Sequence, residues 1–218
     1  MRKFEDTYRH KGLRRKLVET VKSKGITDEK VLEALERIPR HFFLDSAFDE
    51  VAYEDKAFPI AEGQTISQPY TVAYQTQLLE VKPFDKVLEI GTGSAYQASV
   101  LAELGVQVYT IERQKKLFDF NKKFAYIKKY PNIKFFYGDG YEGLPTFAPF
   151  DKVLITAAAP EIPQKLVAQM KMGGMMVIPV GSGDVQIMKR LIKQPDGTLK
   201  EELYDQFSFV PMLSGKND

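Results

Sequence analysis

The sequence predicts an α/β fold, in which a mostly parallel sheet follows a helical extension and ends in an antiparallel hairpin. Five short apolar runs are bounded by turn residues and separated by helical patterns, which is typical of parallel strands joined by crossover helices. A glycine-rich turn, Gly91-Thr92-Gly93-Ser94, directly follows the first of these runs. Helical spacing dominates the chain before Leu44. The length of 218 residues fits one domain with such an extension.

Two helices are predicted in the N-terminal extension. One face of the first carries Leu13, Leu17, Val18 and Val21, and the second repeats apolar residues at Val31, Leu32, Leu35 and Ile38. Thr27 is predicted to cap the second helix, with Asp28 and Glu29 in its first turn. Periodicity then fades from Asp45 to Gln68. A connection of this length is unusual in a compact domain unless it carries function.

The α/β part is predicted to begin with a helix that starts at Pro69 and stops before Pro83. The predicted strands are Lys86–Ile90, Gln107–Ile111, Ile133–Tyr137, Lys152–Thr156 and Met175–Val180. Helical patterns lie between the first two strands and around Leu117–Tyr130 and Pro163–Met170. Beyond Gly181, the runs Val185–Ile192 and Gln206–Met212 flank a Pro195-Asp196-Gly197 turn, which predicts the antiparallel hairpin at a sheet edge.

The composition argues against several classes of function. The chain has no cysteine, which excludes disulfides, thiolate metal sites and cysteine nucleophiles. Lys and Arg total 31 against 29 for Asp and Glu, so there is no large basic excess to neutralise a nucleic-acid backbone. His10 and His41 are far apart in the sequence and lack cysteine neighbours, so both are predicted to be structural and no metal site is expected.

The location and assembly of the protein follow from the distribution of apolar residues. The first sixteen residues are rich in Arg and Lys and lack the apolar core of a signal peptide. The chain contains no apolar run long enough to span a bilayer. We therefore expect a cytoplasmic protein without a membrane partner. Because no large apolar stripe requires a partner, a monomer is expected.

The glycine-rich turn predicts a nucleotide-side loop, because glycines after a strand let the backbone approach a ligand. Tyr96 occupies the position of the third glycine of the dinucleotide motif, which makes NAD the second choice of cofactor. Glu112 follows the second strand about twenty residues later, where a carboxylate can accept hydrogen bonds from ribose hydroxyls. Asp139, between Gly138 and Gly140, can lie against a base or simply form a turn.

These residues together resemble the S-adenosylmethionine site of class I methyltransferases, on Glu89-Ile90-Gly91-Thr92-Gly93-Ser94, Glu112 and Gly138-Asp139-Gly140. The resemblance implies a Rossmann-like seven-stranded sheet with a reversed last strand. It also implies S-adenosyl-L-methionine as cofactor and S-adenosyl-L-homocysteine as product. The implied cofactor-binding residues are Glu89, Gly91, Thr92, Gly93, Ser94, Glu112, Asp139, Gly140 and Gln186. Ala95 departs from the pattern, since the family usually has glycine there.

The segment Ala61-Glu62-Gly63-Gln64-Thr65-Ile66-Ser67-Gln68-Pro69-Tyr70 resembles the active-site loop of the protein-L-isoaspartate O-methyltransferase family. Further matching segments, among them Pro39-Arg40-His41-Phe42-Phe43 and Phe209-Val210-Pro211, extend the resemblance over residues 9 to 213. It implies an active-site serine at Ser67. The substrate groove would be formed by Thr65, Ile66, Gln68, Ala157, Val210 and Pro211. From the residues alone, Ser67 can instead cap the helix, and Val210-Pro211 can end an edge strand.

The family's function implies methyl transfer to the free carboxylate of isoaspartyl residues in damaged proteins, which initiates their repair. The expected partners are therefore isoaspartyl-containing peptides and proteins. The resemblance divides the single domain into N-terminal helices and active-site loop (1–70), a cofactor-binding core (71–181) and C-terminal antiparallel strands (182–218). Three alternatives stay open: a methyltransferase acting on a small molecule or RNA, an NAD-dependent oxidoreductase, and a peptide-binding module with a vestigial cofactor site.

Overall fold

The computed structural model describes residues 5–218, so the first four residues of the basic N-terminal segment lie outside the described part. The helices are α1 (Tyr8–Ser23), α2 (Glu29–Arg37), α3 (Pro69–Leu79), α4 (Tyr96–Glu103), α5 (Lys115–Lys123) and α6 (Gln164–Ala168). The strands are β1 (Phe58–Pro59), β2 (Thr65–Ile66), β3 (Lys86–Ile90), β4 (Gln107–Glu112), β5 (Ile133–Tyr137), β6 (Phe150–Ile155), β7 (Met170–Val180), β8 (Gln186–Lys193) and β9 (Leu199–Phe207). Short 3-10 turns lie at Arg40–Phe43, Ser46–Phe48, Ala61–Gly63, Ala125–Lys129 and Pro145–Phe147.

The cap of α2 differs from the prediction by one residue. Asp28, rather than Thr27, is the N-cap, and its carboxylate accepts hydrogen bonds from the amides of Lys30 (2.9 Å) and Val31 (3.4 Å). The amide of Thr27 donates instead to the side-chain oxygen of Gln77 in α3 (2.8 Å). This contact with α3 fixes Thr27 outside the helix, so α2 begins one residue later.

The main sheet has seven strands in the order β5-β4-β3-β6-β7-β8-β9. Strands β3 to β7 pair in parallel, and β8 is antiparallel to both β7 and β9. The predicted Rossmann-like sheet, mostly parallel with a reversal at one edge, is therefore confirmed. A separate antiparallel ribbon, β1 with β2, lies outside this sheet.

The last strand lies elsewhere than predicted. The partner of β8 is β9, Leu199–Phe207, and not the apolar run 206–212. Most of that run leaves the sheet and lies along Ala158, whose amide donates to the Val210 carbonyl (2.8 Å) and whose carbonyl accepts from Met212 (2.7 Å). The prediction was wrong because the apolar side chains of this run cover a cleft rather than a sheet edge, while the true edge strand is rich in charged residues, as exposed edges often are.

The core lies on both faces of the sheet. Val87 and Leu88 are neighbours in β3, yet each is fully buried in a different apolar cluster. This is the pattern of a central parallel strand covered by elements on both sides. The chain leaves β3 for β4 on one side and later returns to β6 on the other, so a crevice opens at the carboxyl ends of these strands. Within residues 5–218, no helix has the length and apolar character needed to cross a membrane.

Candidate active site

A cleft opens at the carboxyl ends of β3, β4 and β6, where the topology predicts a ligand site. Its wall includes twelve of the residues singled out in the sequence: Thr65, Ile66, Ser67, Gly91, Thr92, Gly93, Ser94, Glu112, Gly140, Ala157, Val210 and Pro211. The chain segment before α3, the glycine-rich turn and the C-terminal run thus meet at one place. We call the side formed by residues 91–94 and Glu112 the cofactor wall, and the side formed by residues 65–67, Ala157 and residues 210–211 the substrate wall.

The glycines of the cofactor wall are required by conformation and by space. Gly91 has φ +97° and Gly93 has φ +53°, backbone conformations that other residues rarely adopt. A Cβ atom on Gly91 would lie 2.6 Å from the Thr156 hydroxyl, which bonds the carbonyls of Ile90 (2.9 Å) and Gly91 (2.8 Å). The turn therefore has no room for a side chain at Gly91, and its backbone forms the surface that a ligand would meet.

Ala95, the departure from the family pattern, also has a left-handed backbone. Its φ is +66°, it is fully buried, and it is the N-cap of α4. Its amide donates to the Thr92 carbonyl (2.8 Å), which closes the turn. A left-handed conformation costs a non-glycine residue about 1–2 kcal/mol, which explains why glycine is usual at this position. The side-chain methyl points into the protein, since Ala95 is not among the residues of the cleft wall.

Glu112 ends β4 with its carboxylate at the cleft. One oxygen accepts from the Gly93 amide and the other from the Gln114 amide, both at 2.8 Å. Burial raises the pKa of Glu112 above its ordinary value, while these backbone amides act in the opposite direction. A carboxylate offers about four lone-pair positions. Each oxygen therefore retains capacity for a further donor, as a ribose diol requires.

Glu89 lies beneath the cofactor wall and not on it. Side chains alternate along a strand, so Ile90 faces the cleft while Glu89 turns to the other face of β3. One oxygen accepts from Thr110 (2.5 Å), whose hydroxyl lies 2.6 Å from that of Thr92. The other carboxylate oxygen is buried without a hydrogen-bond partner, and burial raises the pKa of Glu89 to about 8. Glu89 thus supports the turn through Thr110 and Thr92, while its predicted contact with cofactor stays a prediction.

Asp139 and Gln186 also lie off the cleft wall, as hydrogen-bonding braces. Asp139 accepts from the amides of Tyr141 (2.9 Å) and Gly215 (2.6 Å), so it ties the end of β5 to the C-terminal segment. Gln186 is buried, donates to the Gly183 carbonyl (2.5 Å) and accepts from the Phe209 amide (2.9 Å). Their polar atoms bond to backbone, and their predicted cofactor contacts stay predictions. Gln186 instead positions the run that carries Val210.

Ser67 lies at the base of the substrate wall, just before α3. The N-cap of α3 is Gln68, and its side chain makes no capping hydrogen bond. The carboxylate of Asp55 takes that role, because it accepts from the Tyr70 amide (2.8 Å) and from the Gln68 side chain (3.0 Å). The capping alternative for Ser67 is therefore excluded. Gln68 itself faces an adjoining outer cavity rather than the cleft.

Arg40 is a residue that sequence reasoning missed. It is completely buried, and its guanidinium donates to three backbone carbonyls, those of Ala52, Lys56 and Ser67, each at 3.0 Å. Its charge also lies 5.1 Å from the ring centre of Tyr96. Burial lowers the pKa of Arg40 to about 10, so it stays protonated at neutral pH. The only signal was its place in the Pro39–Phe43 segment of the family resemblance.

Ala157, Val210 and Pro211 complete the substrate wall. Pro211 forms an isolated parallel bridge with Ala158, next to Ala157. Because β9 ends at Phe207, Val210 and Pro211 do not terminate an edge strand, and that alternative is wrong.

The two histidines lie together, although the sequence suggested that they were too far apart. Their rings stack with centroids 3.8 Å apart, and with Asp6 they form a group whose polar atoms lie within 4.8 Å. His41 bonds the Tyr53 hydroxyl (2.7 Å) and the Glu5 carbonyl (3.2 Å). One nitrogen of His10 faces the Thr7 hydroxyl (3.1 Å), and the other lies 3.4 Å from Asp49. Each ring nitrogen thus lies near a protein atom, and burial lowers the pKa of His41.

Comparison with known proteins shows which family this chain belongs to. The family model described as protein-L-isoaspartate(D-aspartate) O-methyltransferase matches residues 12–217. Proteins named protein-L-isoaspartate O-methyltransferase include one from Flavobacterium johnsoniae, 56% identical over 98% of this chain and all of its own length. Another, from Cytophaga hutchinsonii, is 57% identical over 96% of this chain and 95% of its own.

Solved structures agree with the sequence comparison. A protein-L-isoaspartate O-methyltransferase structure has a TM-score of 0.82 and 28% identity, covering 91% of this chain and 65% of that one. A Plasmodium falciparum structure of the same kind, in complex with S-adenosyl-L-homocysteine, has a TM-score of 0.79 and 25% identity over 94% of this chain and 98% of its own. The chain therefore belongs to the protein-L-isoaspartate(D-aspartate) O-methyltransferase family.

Proposed function

We propose that this chain transfers the methyl group of S-adenosylmethionine to the free carboxylate of isoaspartyl residues in damaged proteins, and so starts their repair. The observation that carries the proposal is that the Ser67 segment and the glycine-rich turn face one another across a single cleft. Family membership supports the same activity. It argues against an NAD-dependent oxidoreductase, as does Tyr96 at the third glycine position.

The residues of the cofactor wall fit S-adenosylmethionine. The backbone of residues 91–94 lines the cleft where the ligand would lie, and Glu112 offers two oxygens for the ribose hydroxyls. When bound, this cofactor supplies a methyl group made electrophilic by its sulfonium. We assign its binding to Gly91, Thr92, Gly93, Ser94, Glu112 and Gly140, with Glu89, Asp139 and Gln186 as supports behind the wall.

The methyl acceptor needs little activation. An α-carboxyl group has a pKa of about 3.5, so it is already deprotonated at neutral pH. No general base is required, and neither histidine lies on the described cleft wall. The chain must instead align the carboxylate with the methyl group, and alignment alone can contribute a large rate factor.

Ser67 is proposed to orient the carboxylate with its hydroxyl. The carboxylate loses its charge as the ester forms, so a strongly bound anion would be stabilised more in the ground state than in the transition state. Such binding would slow the methyl transfer. A single neutral hydroxyl avoids this effect better than a cation. Thr65, Ile66, Ala157, Val210 and Pro211 would hold the substrate backbone, with Gln68 at the entrance. Arg40 acts on the Ser67 carbonyl and is a positioning residue.

Methyl transfer from labelled S-adenosylmethionine tests the function. The acceptors are a short isoaspartyl peptide and the same peptide with ordinary aspartate. We expect transfer to the isoaspartyl peptide alone. Transfer to neither, with cofactor still bound, would favour the peptide-binding module or another methyl acceptor, and equal transfer to both would overturn the specificity.

The organisation of the molecule is part of the proposal. We infer one domain, with N-terminal helices and substrate loop (1–70), cofactor core (71–181) and C-terminal strands (182–218), acting as a monomer in the cytoplasm. Light scattering of the purified chain should then give a mass near 24.8 kDa. A dimer mass would contradict the monomer without affecting the chemistry.

A further inference from the structure

An outer cavity adjoins the cleft and carries features that methyl transfer does not use. It is open to solvent, has a volume of about 900 Å³, and shares four wall residues with the cleft: Thr65, Ser67, Thr156 and Val210. A peptide that brings its carboxylate to Ser67 must therefore place neighbouring residues in or beside this cavity. The Cα atom of the preceding residue is about 3.8 Å from that of the isoaspartate, and the following residue is one main-chain carbon farther, so these would be the residues nearest the isoaspartate.

Three aromatic rings line the outer cavity: Tyr70, Phe207 and Phe209. Each is only half-buried, although together they form a connected group. The Tyr70 and Phe207 rings stack at 6.2 Å, and those of Phe207 and Phe209 lie 6.4 Å apart. Tyr74 packs behind Phe207 at 5.0 Å and is fixed by its hydrogen bond to Asp205 (3.0 Å). The rings are therefore held in place with part of their apolar surface open.

The charges of the described cavity wall do not select an ionic side chain. Lys24 is the only charged residue among those lining it, and its ammonium pairs with Asp55 at 2.6 Å while lying 5.6 Å from the centre of the Tyr70 ring. The rest of the described wall is neutral, with Gln68 and Gln206 among its polar members. An aromatic surface with its one cation already neutralised favours an uncharged, apolar partner over an acidic one.

We propose that Tyr70, Phe207 and Phe209 form a subsite for an aromatic or large apolar side chain next to the isoaspartate of the substrate. The inference rests on the proposed function, because the methyl acceptor at Ser67 sets the position of the neighbouring side chain. Phe209 directly precedes Val210 of the substrate wall, so the subsite and the reacting carboxylate are adjacent. An aromatic side chain of the substrate that pairs with these rings should raise the affinity for the peptide roughly three- to tenfold.

The test uses isoaspartyl peptides that differ only in the neighbouring residue, which is Phe, Ala or Glu, placed on either side. On one side of the isoaspartate, we expect kcat/KM to be roughly three- to tenfold higher for the Phe peptide than for the Ala peptide. The difference should arise from a lower KM, and the Glu peptide should show no increase over the Ala peptide. Phe207→Ala should bring the Phe-to-Ala ratio close to one. Phe207→Leu, which keeps an apolar side chain at this position, should retain part of the preference for the Phe peptide. Leu203→Ala is the matched control, because Leu203 is exposed on the same strand and lies outside both cavities.

Two results would overturn the subsite. One is a wild-type enzyme that treats the Phe and Ala peptides alike on both sides. The other is a folded Phe207→Ala variant that loses the same factor on every peptide, since this would indicate a general structural role. Calorimetric affinities of the same peptides, with S-adenosylhomocysteine present, decide the matter independently of turnover. If no peptide is methylated, the proposed function fails, while a Phe preference in binding would still support the subsite.

Discussion

The two walls of the cleft are built in different ways. The cofactor wall consists of backbone at the ends of paired parallel strands, and its amides bond to neighbouring strand residues such as Ile111 and Glu112. The substrate wall consists of the two-residue strand β2 and irregular chain, and side chains from distant segments, chiefly Arg40, Asp55 and Gln186, anchor the segments that carry it. The first wall should therefore be rigid and intolerant of added atoms. The second should be sensitive to loss of its anchors.

Gly91→Ala is the substitution that we expect to disrupt the cofactor wall most. The new Cβ atom would lie 2.6 Å from the Thr156 hydroxyl at a backbone φ of +97°. Clash and strain together should lower the affinity for S-adenosylhomocysteine by about 100-fold or more, as measured by calorimetry. Gly183→Ala is the control, because its Cβ would meet nothing within 4 Å. A less than threefold loss in Gly91→Ala would show that the turn can shift.

Arg40→Lys is the corresponding substitution for the substrate wall, because Arg40 anchors the Ser67 segment. A lysine keeps the charge but lacks the planar fork that reaches three carbonyls at once. Leaving buried carbonyls unpaired should lower the free energy of unfolding by about 3 kcal/mol, as measured by urea denaturation. Arg37→Lys is the control, since Arg37 is largely exposed.

Arg40→Lys also tests whether the two walls act independently. Turnover should fall more than the affinity for S-adenosylhomocysteine, because Arg40 bonds the Ser67 segment and no residue of the glycine-rich turn. Equal losses in both quantities would contradict the division between the walls.

Glu112→Ala tests the proposal that this side chain binds the ribose of the cofactor. Loss of charge-assisted hydrogen bonds should weaken S-adenosylhomocysteine binding by about 2 kcal/mol, roughly 30-fold. Glu201→Ala, on the exposed edge strand, should have no effect. Unchanged affinity in Glu112→Ala would refute the placement of the ribose.

Ser67→Ala probes the substrate wall in the same way. Removing the hydroxyl that is proposed to orient the carboxylate should lower kcat about tenfold, which corresponds to about 1.4 kcal/mol. Affinity for S-adenosylhomocysteine should stay within about twofold, since Ser67 lies outside the cofactor wall. An unchanged kcat would leave Ser67 without a role in orientation.

The smallest expected effect concerns Glu89, beneath the cofactor wall. Its pKa is about 8 in the folded protein against an ordinary 4.5, so between these values the folded state keeps a proton that the unfolded chain has lost. The free energy of unfolding should therefore fall as pH rises through this window. Glu89→Gln removes this titration and should gain about 1 kcal/mol or more relative to wild type between about pH 5 and pH 9. The free energies of unfolding of wild type and Glu89→Gln can be measured by urea denaturation across this pH range. A difference between the two proteins that does not change with pH would contradict the buried, protonated state of Glu89.

The cofactor wall could be predicted from the sequence because its elements are local. Gly91 follows β3 and Glu112 ends β4, and parallel strands bring such positions to one edge. The sequence did not predict that strand alternation turns Glu89 away from the cleft, or that Asp139 and Gln186 bond to backbone, because these hydrogen bonds have no local signature. The anchors of the substrate wall were equally invisible, because Arg40 bonds carbonyls 12, 16 and 27 residues away.

A crystal structure with S-adenosylhomocysteine and an isoaspartyl peptide tests the division of the cleft most directly. We predict that the ribose hydroxyls lie at Glu112 and that the free carboxylate lies within hydrogen-bonding distance of the Ser67 hydroxyl, facing the sulfur. A carboxylate held elsewhere, or a cofactor bound away from the glycine-rich turn, would contradict the account.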